Sequence, residues 1–161
     1  MEELLQFERL LSNLSARFVN VPPERLDGEI EHALEMIRDY FRVDRCALLR
    51  TFPGKTSWII SHVACSEHVP PGPPGVELPR SIHPWAYERL VERREVLAFT
   101  RIDETPPESD VDRKTWMEWG IRSNLTIPIL IGEAADHVIA INSVMRERVW
   151  PEEFIPRLRL I

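Results

Sequence analysis

The residues best able to do chemistry are two cysteines and five histidines, and three of them stand close together. His62, Cys65 and His68 are spaced three and three, with the sulfur and imidazole donors that zinc takes. A closed zinc site needs four ligands, and no fourth is evident near them. The three read instead as a partly buried strand histidine, a small apolar cysteine and a histidine beyond the strand, and no metal is assigned. Cys46 stands early in the run Arg45-Cys46-Ala47-Leu48, where a buried thiol is inert unless a nearby cation lowers its pKa. Arg45 points to the opposite face of such a strand. Glu104, Glu108, Asp110 and Asp112 lie in a loop without the glycine-bearing spacing of a calcium site, so they read as solvated. No Ser-His-Asp set, phosphate loop or paired zinc motif is present. The expectation is a protein that is not an enzyme.

Composition narrows the remaining classes. The net charge is −6, and the basic residues are interleaved with acids, as in Glu92-Arg93-Arg94-Glu95. That pattern is a solvated helix face and excludes a nucleic-acid surface, which needs clustered cations. With 161 residues, 43% of them hydrophobic, the chain reads as one globular domain over 1–161 with a real core. No apolar run approaches the ~18–20 residues that span a bilayer. Met1 is followed by Glu2-Glu3, the wrong charge for a secretory leader. Two cysteines make no disulfide framework. A cytoplasmic protein without membrane contact is expected.

The elements that would position these residues follow from periodicity. Residues 2–19 form a helix in which Leu4, Phe7, Leu11, Leu14 and Phe18 recur at three, four, three and four, the seam of a coiled coil and so of a dimer. Leu10 widens the stripe, which leaves open a helix packed on its own domain. Pro22-Pro23 ends it. A second helix carries Leu26, Ile30, Ala33, Leu34, Ile37 and Phe41 on one face. Strands over 44–51 and 57–65 make a hairpin around Pro53-Gly54-Lys55. The stretch 69–75 holds four prolines and two glycines and must be loop. A helix from Pro84 to about Arg94, a strand over 95–99, the proline-bearing acidic loop 103–112 and a short helix over 113–119 follow. The last hairpin spans 123–131 and 137–145. A final helix opens at Pro151-Glu152-Glu153, with Phe154, Ile155, Leu158, Leu160 and Ile161 still apolar as the chain stops. That helix is expected to be truncated and to continue in a longer protein.

This order gives an α+β fold: an antiparallel sheet with the N- and C-terminal helices on one face and loop and helix segments roofing the other. It resembles a GAF domain over nearly the whole chain. The resemblance is carried by Asp44-Arg45-Cys46-Ala47-Leu48, by Gly120-Ile121-Arg122-Ser123-Asn124-Leu125-Thr126-Ile127-Pro128-Ile129 and by Arg148-Val149-Trp150-Pro151-Glu152-Glu153. It implies a sensory domain ahead of an output such as a histidine kinase, a cyclic-dinucleotide enzyme or a transcription activator. It also implies a homodimer through the terminal helices. Relatives that attach bilins use a Cys-His dipeptide or an Asp-Ile-Pro signature, and neither stands here. Asn124 is followed by leucine, which departs from the cyclic-nucleotide pattern. A haem on one of the histidines has only fold-level analogy behind it.

In the family the variable loops roof a cavity. Trp58, Trp85, Trp116 and Trp119 flank those loops, and with His62, His83, Ser123 and Thr126 they would line a site for a flat or heterocyclic small molecule. The sequence names no cofactor. Filling of core is the competing reading for each tryptophan, and Trp150 reads as structural, pinning the last helix. Two alternatives remain: a purely structural dimerisation module, and an enzyme like the free methionine sulfoxide reductases, with Cys46 and Cys65 as the thiols. The seam has its own test. Light scattering should show a dimer that Leu11→Asp, Leu14→Asp abolishes, and an unchanged dimer would remove the heptad argument.

Overall fold

Residues 33, 34, 37 and 41 share one side of a 3.6-residue repeat, and that side is the one the fold buries. The computed structural model describes residues 2–18, 21–51, 56–69, 75–131 and 134–150. Within them, the side chains of 3, 4, 11, 14, 15, 17, 18, 129–131 and 134–136 are outside the description. Helix α1 (Glu2–Phe18) packs on α2 (Leu26–Phe41). Phe7 is 0% exposed and sets its ring against Tyr40 and Phe41, with centroids 5.7 and 6.3 Å away. Phe7 was expected on a dimer seam. It lies instead in the core of its own domain, because Phe7 and Leu10 together face α2. The side chains of Leu4, Leu11, Leu14 and Phe18, and the expected helix from Pro151, lie outside the described residues.

The strands are β1 (Arg45–Thr51), β2 (Ser57–Cys65), β3 (Glu77–Pro79), β4 (Leu97–Phe99), β5 (Ser123–Ile131) and β6 (Ala134–Ser143). They form one antiparallel sheet in the order β3-β2-β1-β6-β5-β4. Side chains alternate across it, and both faces are covered. Cys46, Leu125, Ile127, Ile139 and Ile141 meet α1 and α2 on one face. Ala47, Leu49, Trp58, Ile60, Leu97, Phe99 and Val138 face the short helices on the other. That second cover is α3 (Pro84–Tyr87), continued by a π turn over Glu88–Glu92, and α4 (Asp110–Glu118).

The α+β class stands as expected, with three local differences. Strand β3 is new: three residues of no distinctive pattern pair with β2 because Ser57–Ile59 offers an edge. The helix from Pro84 has one α turn and then widens to a π turn. Strand β6 starts at Ala134, ahead of its β-formers, because the hairpin register carries the pairing out to Ile131↔Ala134. No helix among the described residues is long and apolar enough to cross a membrane.

Helix α2 closes with Val43 N–H on the Arg38 carbonyl and Arg42 N–H on that of Asp39, the paired bonds that usually place glycine at the left-handed position. Here Arg42 holds it, at φ 54. Arg42→Gly should therefore raise stability by ~0.5–1 kcal/mol net of glycine's entropy cost, read as a higher urea midpoint at unchanged slope.

Candidate functional site

A cavity of ≈ 60 Å³ lies between the sheet and the α3–α4 cover. At roughly 10–15 Å³ per seated water it holds about four to six waters, the bulk of one small ring. Its floor owes the space to two alanines, since Ala47 and Ala140 stand directly opposite each other on the adjacent strands β1 and β6. One row along, Arg45 pairs with Asn142 and Asn142 with Asn124. Their polar groups are joined across three strands. Arg45 Nε donates to Asn142 Oδ1 (3.3 Å), Asn142 Nδ2 to Asn124 Oδ1 (2.7 Å) and Asn124 Nδ2 to the Leu97 carbonyl (3.3 Å). Thr126 Oγ1 donates to the same Asn124 oxygen at 2.9 Å. Arg45 is only 4% exposed. Burial lowers its pKa, while the nearby Cys65 and Asp44 work in the opposite sense.

The walls and cover are aromatic. Trp58 comes from β2, His83 precedes α3, Trp116 lies on α4 and Trp119 caps its C-terminus. The His83 ring centroid is 6.1 Å from Trp58, 6.0 Å from Trp116 and 5.0 Å from Trp119. His83 is 4% exposed, and among the described residues neither of its ring nitrogens has a hydrogen-bond partner. The Trp58 indole N–H has none either. Burial pushes the His83 pKa down to about 4, so the ring is neutral near pH 7.

A carboxylate holds the cover in place. Asp112, on α4 and fully buried, accepts the backbone N–H of Trp85 (3.1 Å) and Ala86 (2.8 Å). These are donors of the first turn of α3, which no side chain of its own caps. Burial raises the Asp112 pKa, partly offset by those two bonds. Thr115 Oγ1 adds a bond to the Ile82 carbonyl at 2.7 Å. The acidic loop was expected to be solvated, and for Asp112 that reading is corrected: the residue belongs to a helix whose inner side faces α3.

Of the expected site residues, Trp58, His83, Trp116, Trp119 and Thr126 line the cavity. Trp85 does not. It packs edge-on to Trp116 at 6.4 Å with the Arg89 guanidinium 4.8 Å from its ring. His62 is on the other face of the sheet, its Nε2 2.9 Å from Asp27 Oδ1 of α2. The cause is a bulge: the β1–β2 register shifts between Leu48 and Leu49, leaving Ser61 without an opposite residue. Ser123 is also on the helix side, bonded to the Thr100 carbonyl and the Arg148 N–H. Residues 123 and 126 are an odd number apart on one strand and cannot share a face. Arg45, Asn124, Asn142, Ala47 and Ala140 were not foreseen as lining. The two asparagines carried a signal, polar residues inside apolar strands at Asn124-x-Thr126 and at Asn142.

Cys46 is fully buried among the helix-side residues, and burial pushes its thiol pKa up. Cys65 stands opposite Arg45 on the cavity side, so the sheet separates the two thiols. Among the described residues no group of three or more His, Cys, Asp or Glu could hold a metal ion.

A sheet with helices on one face and a small cavity under short helices on the other defines an α+β domain with an enclosed site. By sequence, residues 25–160 match the GAF domain, and the chain belongs to that family. Its fold is similar to the chromophore-binding domain of a Stigmatella aurantiaca phytochrome (TM-score 0.78, 15% identity), covering 97% of this chain and 57% of that one. It is similar to the phycocyanobilin-bound GAF domain of a cyanobacterial phytochrome (0.78, 18%), covering 96% and 88%. The GAF domain of an Acinetobacter phosphoenolpyruvate-protein phosphotransferase is also similar (0.69, 12%), with 97% and 87% covered. No curated protein sequence matches the chain. The chain thus spans little over half the length of the Stigmatella domain.

His83 makes the fold sensitive to acid. Its folded pKa of about 4 lies below the ordinary 6.5, so below pH 6.5 the unfolded chain takes the proton first. The stability from burying the neutral ring is full above pH 6.5 and falls as pH drops to about 4, by at most ~3 kcal/mol. Urea unfolding of the wild type should show this slope between pH 6.5 and 4, and His83→Phe should flatten it.

Proposed function

We propose that this GAF domain is a regulatory sensor that binds a small molecule in the cavity between Arg45 and His83 and relays its presence to the terminal helices. The observation that carries this reading is His83, a buried imidazole lining the cavity whose two nitrogens, like the Trp58 N–H, have no partner among the described residues. Each such group costs ~1–3 kcal/mol when buried without a bond. A ligand with matching polar atoms recovers that cost, and this is differential binding of the kind that shifts a conformational equilibrium.

A contiguous set of contacts supports the relay. Trp116 packs on Phe99 with centroids 4.7 Å apart, and the Phe99 carbonyl accepts the Trp150 indole N–H at 3.2 Å. The Trp150 ring lies 6.0 Å from that of Phe41, which packs on Phe7 of α1. A molecule that moves Trp116 therefore presses on the segment leading out of the domain and on the first helix. The domain then acts within a longer cytoplasmic signalling protein, as a homodimer through what remains of the α1 seam, with a covalently attached output domain that reads the helices.

Native mass spectrometry of the protein purified from its own host tests this reading. The wild type should carry a small molecule at one per chain, and Ala140→Leu, which fills the floor, should be folded and empty. An empty wild type together with a more stable Ala140→Leu variant would mark the cavity as a packing feature and the domain as a dimerisation module.

A further inference from the structure

The chemistry of the ligand can be narrowed, on the reading that this cavity binds one. Its volume suits one ring, and the indoles of Trp58, Trp116 and Trp119 favour a flat aromatic one. Among the described residues the lining carries one charged group, Arg45, and no carboxylate. In a water-poor cavity a guanidinium repels cations and favours an anionic group, best a carboxylate. The other polar groups make a different demand. A neutral imidazole offers one N–H and one bare nitrogen, and an indole can only donate. Of these three groups a hydroxyl meets two of opposite kind, giving its proton to the bare His83 nitrogen and accepting from Trp58, whereas a carbonyl oxygen cannot serve the bare nitrogen. Trp58 pairs with Thr51, six residues along β1 from Arg45, or ~20 Å between Cα positions. Arg45 and Trp58 both line the cavity, and Ala47 of the alanine floor lies between their positions along β1, so acid and hydroxyl belong at opposite ends of the ligand.

We propose that the cavity selects a small planar hydroxyaryl carboxylate, with its acid at the Arg45–Asn142 end and its hydroxyl at His83 and Trp58. The cross-strand chain from Arg45 through Asn142 and Asn124 to the Leu97 carbonyl fixes the cation end. The Asp112 bonds to α3 fix the His83 end.

Isothermal titration of the full chain with four compounds tests this: para-hydroxybenzoate, benzoate, para-hydroxybenzamide and the cation tyramine. The hydroxy acid should bind about tenfold or more tighter than its amide and than the compound lacking the hydroxyl, and tyramine should not bind. Arg45→Gln should erase the preference for acid over amide, and His83→Phe the preference for the hydroxyl. Arg45→Lys, which keeps the charge, should retain a preference for the acid and covers the case in which the glutamine variant does not fold. Equal binding of acid and amide to the wild type would overturn the proposal without any variant. If none of the four binds while a host molecule still co-purifies, this ligand class falls and the sensor reading stands. If none binds, nothing co-purifies and Ala140→Leu is more stable, both fall.

Discussion

The Asp112 carboxylate accepts the backbone N–H groups of Trp85 and Ala86 and thereby joins the two parts of the cover. Helix α3 has a single α turn before it widens, and a helix that short does not form from its own hydrogen bonds. Its first-turn donors would be orphans in a buried place. By meeting them from a neighbouring helix, Asp112 fixes where α3 starts, and with it the residue just before, His83. The position of the imidazole over the floor, its distance from three indoles and the height of the cavity all depend on that contact. The cost is a buried acid whose pKa burial raises, and the two backbone bonds are what make it tolerable.

The sheet imposes the second constraint, a strict division of residues between two covered faces. Much of this was legible in advance, because the apolar stripe of α2 and the β-rich runs at 45–51 and 123–131 need only local periodicity to be seen. Five of the eight expected cavity residues do line it. Two of the three failures, His62 and Ser123, are failures of parity, while Trp85 on α3 turns to Trp116 and Arg89 instead. Trp58, His62 and the residues between them look like one alternating strand, yet the extra residue at Ser61 sends His62 to the helix side. Nothing in Ile59-Ile60-Ser61-His62 announces a bulge, since it arises from how β1 and β2 pair and not from either alone. Ser123 was misplaced for a simpler reason, having been grouped with Thr126 by chemistry when strand geometry separates them.

Other residues were illegible because their meaning is relational. Ala47 and Ala140 are unremarked small residues until the register sets them side by side, and only then do they make a space. Arg45 looks like an ordinary strand-edge cation until Asn142 and Asn124 are found in line with it. Helix α1 shows the same limit. Its heptad spacing fits a partner helix and an intramolecular groove equally well, and for Phe7 the groove is taken.

The placement of the five tryptophans has an optical consequence. Trp58, Trp116 and Trp119 surround the cavity, each within 6.1 Å of the His83 ring, and Trp85 abuts Trp116. Trp150 alone lies with the helix-side aromatics, its N–H fixed on the Phe99 carbonyl. Indole emission responds to the polarity and the quenchers within a few ångströms. The intrinsic fluorescence of this domain is therefore weighted toward one place, and anything that enters the cavity is reported by the light the walls themselves give off.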